Sequence, residues 1–143
     1  MQIKGLTKFG AVAAIIIALG LFLGTQPNSV LGVPNSVTTL AINDSSSGET
    51  QIIAASGTNS IYVTHYHLFA NGTTTAQWDV GTGGTCGSST ATIDGPMSFI
   101  AQTGISAGAG LGAVLIVPAG DALCLNLGSS VQVGGSISYQ QSQ

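Results

Sequence analysis

From about Ser36 to Gln143 the chain is a succession of short runs rich in Val, Ile, Leu, Thr and Tyr, each cut off by Gly, Asn or Ser within about ten residues. After residue 25 no stretch keeps an apolar period of 3.6 residues without a glycine interrupting it, which leaves strands rather than helices as the building element. The runs at 36–43, 49–55, 60–70, 73–80, 88–93, 96–102, 112–117, 121–127 and 130–140 are read as strands. Eight or nine short strands at this regular spacing predict an all-β domain, an antiparallel β-sandwich of jelly-roll-like kind. Asn71-Gly72 predicts a type I′ hairpin between the third and fourth runs, because both residues accept positive φ. In "SVQVGGSISYQQ", Val131, Val133, Ile137 and Tyr139 read as one buried face, with a bulge expected at Gly134-Gly135.

Polarity in this domain comes from hydroxyls and amides rather than ions. Charged residues make up 5% of the chain, against roughly 25% in typical soluble domains. Both lysines, Lys4 and Lys8, precede residue 9 and there is no Arg, so the domain's acids, Asp44, Glu49, Asp79, Asp94 and Asp121, face no fixed cation. No nucleic-acid partner is expected, since neutralising phosphates needs a basic stripe. An arginine clamp, a Schiff-base lysine and a phosphate-binding P-loop are excluded on the same ground. Hydrophobic residues at 44% nevertheless set the chain apart from disordered sequences.

The first 25 residues are of a different kind. "MQIKGLTKFGAVAAIIIALGLFLGT" follows two lysines with an uncharged apolar run from Phe9 to Gly24, about 24 Å long as a helix. Phe9, Ile15, Ile16, Ile17, Leu19, Leu21, Phe22 and Leu23 are the expected lipid-facing residues of a single N-terminal transmembrane helix, residues 1–25. A cleaved signal peptide is the alternative, but Phe22 or Leu23 occupies the position where a small residue is required. A prepilin-type leader cut after Gly5 is another, without the acidic residue common early in bacterial pilin helices. With the helix as an anchor, Lys4 and Lys8 orient it so that the β-domain lies on the non-cytoplasmic side. Residues 26–35, in which "PNSV" begins a first time at Pro27 and a second time at Pro34, read as a Pro/Asn stalk, and 36–143 as the β-sandwich domain.

Few residues remain for chemistry. His65 and His67 are two apart in one run, so both imidazoles are expected on one strand face beside Ile61, Val63 and Phe69. They are half of a metal set, with Asp79 the nearest candidate for a third ligand. A strand whose histidines meet a neighbouring subunit is the simpler reading. Cys86 and Cys124 are expected either to form a disulfide, worth roughly 4 kcal/mol for a loop of about 39 residues, or to be buried thiols. Neither lies near a base that would make it a nucleophile. "GISAGAGLGA", residues 104–113, echoes a nucleotide-binding loop, but a strand rather than a helix follows, and it is read as a loop or sheet corner. Asp94 and Asp121 each adjoin a glycine, where a turn role is expected. No catalytic residue and no cofactor is predicted.

The segment from Gly81 to the C-terminus carries a recognisable pattern. A Gly-Thr-Gly turn precedes Cys86, and a glycine-rich loop leads to a strand over Gly104 to Val117. A Pro/Ala-Gly turn then enters a second cysteine strand over Pro118 to Cys124, and a Val-Gln-Val-x-Gly strand from Val131 ends with Tyr139. This resembles the C-terminal part of small bacteriophage virion structural proteins of the decoration, minor capsid or spike type. The resemblance implies a non-enzymatic virion component that forms a symmetric oligomer such as a trimer and contacts major capsid or shell proteins. The apolar N-terminal segment departs from most such proteins, and a membrane-containing phage accommodates both features, with the helix in the bilayer. The alternatives are a cell-surface pilin or filament subunit and an exported carbohydrate-binding module.

Overall fold

A computed structural model describes residues 36–82, 86–87, 90–108, 110 and 112–143. The membrane helix and the stalk read from residues 1–35 lie outside these. Among the described residues the strands are β1 (Thr38–Asp44), β2 (Gly48–Ile53), β3 (Ser60–Ala70), β4 (Thr74–Gly81), β5 (Thr90–Phe99), β6 (Thr103–Gly108), β7 (Leu115–Val117), β8 (Ala122–Leu127) and β9 (Val133–Ser142). The domain is all-β, as its broken runs dictate. Two antiparallel sheets pack face to face, one ordered β1-β9-β3-β6 and the other β2-β8-β4-β5. β7 also pairs with β3, on the side β6 uses: β6 lies against His65 to Ala70 and β7 against Ile61 to Val63.

The core lies between the sheets and is supplied by one face of each strand. The first sheet contributes Ile42, Ile61, Val63, Tyr66, Leu68, Ala70, Val133 and Ile137, and the second Ile53, Ala76, Trp78, Val80, Phe99, Leu123, Leu125 and Leu127. At the centre the Trp78 indole, wholly buried, meets the Tyr66 ring edge-on at 5.3 Å between centroids. The Tyr66 hydroxyl donates to Asp94 Oδ2 at 3.1 Å, so the polar tip of this buried ring is satisfied from the facing sheet. Burial first, and then the Asp94 charge, push the phenol up to about 12.

Four local expectations are corrected. Asn71-Gly72 makes no hairpin: β3 and β4 lie in different sheets, and neither residue has a positive φ. Each of these strands has an apolar face, and placing them in opposite sheets buries both faces against each other. That burial outweighs a local turn preference. The bulge falls not at Gly134-Gly135 but at Thr64, where the pairing steps from Val63↔Tyr139 to His65↔Ser138. The runs at 88–93 and 96–102 are one strand, β5, which accommodates Pro96 because it is an edge strand. The glycine string at 104–113 is half strand: its first five residues belong to β6.

Gly135 shows why β9 carries its glycine pair. It is paired with Leu68 on one side and Ile42 on the other. A Cβ there would collide with the backbone carbonyl of His67, which a strand in mid-sheet has no room to withdraw. Gly135→Ala should therefore lower stability by at least ~2 kcal/mol, read as a reduced urea midpoint; a midpoint equal to wild type would show that β3 and β9 do not approach this closely.

Candidate functional site

The Thr64 bulge decides what the histidines face. An extra residue in a strand reverses its alternation, so Ile61 and Val63 before it and Tyr66 and Leu68 after it all point into the core. His65, His67 and Phe69 share the outer face, and the expected neighbours Ile61 and Val63 are on the opposite one. The two rings are 6.2 Å apart between centroids. His65 Nε2 lies 3.2 Å from Ser106 Oγ on β6, and His67 Nδ1 lies 3.0 Å from Ser136 Oγ on β9. Each imidazole is thus held by a serine of a flanking strand. Gly108 opposite His65 leaves space for its ring, since a Cβ would come within 3.1 Å of it.

Asp79 does not join the pair. It points to the outside of the second sheet, away from both histidines, because β4 crossed over instead of folding back on β3. Two imidazoles with serine hydroxyls fall short of the ligand set zinc requires. Among the described residues the one group with three ligand atoms within 4.8 Å is Glu49, Cys86 and Cys124. Both sulfurs of that group are already bonded to each other.

The Cys86–Cys124 disulfide, with Cα atoms 5.8 Å apart, fastens the β4–β5 connection onto the outer face of the second sheet. The alternation in "ALCLNL" turns Leu123, Leu125 and Leu127 inward and Cys124 and Asn126 outward. Beside the bridge lies a polar cluster. Asp79, 2% exposed, accepts from Gln77 Nε2 at 2.7 Å and from Asn126 Nδ2 at 3.2 Å. Glu49 Oε1 accepts from Thr90 Oγ1 at 2.8 Å, while its Oε2 is buried with no partner. Burial, and secondarily the nearby Asp79 charge, raise the Glu49 carboxyl above its ordinary range, against the opposing Thr90 hydrogen bond. Sequence reading had missed this cluster, although the shared parity of Cys124 and Asn126 was visible in the pattern.

The remaining candidates separate cleanly. Asp94 is in β5 bonded to Tyr66 rather than in a turn, whereas Asp121 is in a turn, its amide donating to the Pro118 carbonyl at 3.2 Å. A groove of about 240 Å³ on the first sheet is lined by Tyr62, Thr64, Gly112, Ala113, Gln140 and Ser142, all uncharged at neutral pH. Trp78 and Tyr66 are buried, Tyr62 and Tyr139 are half-buried, and Phe69 is the exposed aromatic ring among the described residues. No protein-family model, curated protein or solved structure matches the chain.

The acid cluster gives the domain a pH dependence of definite sign. The folded-state pKa of Glu49 is above its unfolded value, so the folded domain binds the proton more tightly. Its contribution is fully present below the unfolded pKa and is lost as pH rises through the folded one. Melting temperature should therefore increase from pH 7 toward pH 5 and flatten in Glu49→Gln; an unchanged slope in that variant would assign the effect elsewhere. Reducing the bridge should destabilise the domain by roughly 4 kcal/mol on the loop-entropy account, measured by denaturant unfolding with and without a phosphine reductant.

Proposed function

We propose that this chain is a non-enzymatic virion structural protein of minor capsid or spike type, held in a membrane by its N-terminal helix and contacting the shell through an assembling β-domain. The observation that carries the reading is the strand order. We read β1-β9-β3-β6 over β2-β8-β4-β5 as jelly-roll-like: the chain crosses between the sheets at every connection except β4 to β5 and β6 to β7, and jelly rolls are used by viral capsid and lectin domains. The disulfide favours an oxidising compartment, in keeping with a domain on the non-cytoplasmic side.

The surface chemistry supports assembly. Serine, threonine, asparagine and glycine on the outer sheet faces can meet a neighbour with little cost in desolvating ions. The carbohydrate-module alternative loses support from the burial of Trp78, while a filament subunit remains the competing reading for an anchored chain.

In particles purified on a density gradient, the full chain should band with the shell and leave with the lipid on treatment with a mild detergent. Recovery solely from sheared cell-surface filaments would overturn the virion reading.

A further inference from the structure

Among the described residues the sandwich has four edges without a strand partner, and three of them are interrupted. β2 carries a register shift between Gln51 and Ile53. β5 contains Pro96 and is paired with β4 across two register shifts. The edge opposite β1 is broken between Gly108 and Leu115 into the six residues of β6 and the three of β7. Interruptions of this kind are how sheet edges are kept from pairing with other chains.

β1 has none of these protections. Its seven residues pair with β9 in one unbroken register, from Thr38↔Tyr139 to Asp44↔Val133. It contains no Pro, Gly or Lys, and its single ionisable side chain, Asp44, is 6% exposed and turned inward. Val37 and Leu40 are 50% and 38% exposed along this edge. Among the described residues, the hydrogen bonds of the strand between Thr38 and Ile42 all go to β9.

We propose that β1 pairs antiparallel with β1 of a second copy of this chain, so that the first sheet runs continuously through a two-fold dimer. This rests on the reading of the chain as an assembling structural protein. A second copy is the occupant because two-fold self-pairing consumes this one uninterrupted edge in both partners and closes the assembly, whereas pairing β1 with any other edge meets a bulge, a proline or a break. Inward residues must meet inward residues, so paired positions sum to an even number. Centring the axis on Ala41 overlaps all seven residues and sets Thr39 opposite Asn43 of the mate and Leu40 opposite Ile42. Each Asp44 then lies opposite Thr38 of the mate, at opposite ends of the ribbon, and like charges stay apart.

The test uses the full chain in density-matched detergent. Wild type should sediment at twice the protomer mass, and Ala41→Lys should halve that mass without shifting the unfolding midpoint. Ser98→Lys, on the exposed face of the interrupted edge β5, should leave the dimer intact. Ala41→Cys adds a third cysteine to a domain whose two native ones are bridged. With glutathione disulfide as the oxidant, two such thiols should join into one intermolecular disulfide with release of two glutathione molecules, because paired strand positions lie within bridging distance. A dimer that survives Ala41→Lys, or the absence of a cross-linked species, overturns the β1 interface. A monomeric chain that still binds shell particles also overturns it and leaves the virion reading standing, while a monomer that binds none removes both.

Discussion

The structure depends on covering β3 and β4 with each other across the sandwich. Both strands run through the middle of a sheet, and both turn most of their large apolar residues to one face. Tyr66 and Trp78 meet at the point where those faces cross, and removing the Trp78 ring would cost roughly 3–5 kcal/mol. The crossover at Asn71-Gly72 and the hydrogen bond from the Tyr66 hydroxyl to the half-buried Asp94 of the facing sheet accompany that contact. Its polar tip shows the cost of burying a phenol in a core: a partner had to be found in the opposite sheet.

A domain without lysine or arginine handles its acids by other means. Asp79 is neutralised by no cation, yet it is almost fully buried, because two side-chain amides donate to it. Glu49, with one carboxyl oxygen buried and unpartnered, keeps its proton more tightly, chiefly because burial disfavours its charge. The disulfide lies over the same place. Covalent closure and amide donors together do here what ion pairs do in more highly charged domains, and the titration of the cluster is left to its carboxyl groups.

Most of the strands were legible because glycine, asparagine and serine mark their ends and the apolar residues mark their faces. Long-range relations were not. Asn71-Gly72 has the local chemistry of a hairpin, and nothing within ten residues of it reveals that β3 is better covered by β4 than paired with it. His65 and His67 were rightly placed on one face, but the Thr64 bulge, set by the pairing with β9 some 70 residues away, decided which apolar residues share it. The Cys86–Cys124 bridge was foreseen as one of two states of the thiols, whereas the Glu49, Asp79 and Asn126 cluster required the neighbour relations of β2, β8 and β4. Pattern reads what a strand is, and pairing determines whom it meets.

The position of β9 has a consequence for how the domain comes into being. It is the last of the described strands in chain order, yet it lies between β1 and β3 and supplies their common partner, joining Thr38 to Tyr139 and Ser60 to Ser142. During synthesis β1 and β3 therefore emerge long before the strand that satisfies them, and the first sheet cannot close until Ser142 has been made. Contacts of such sequence separation fold slowly and leave apolar edges open in the meantime.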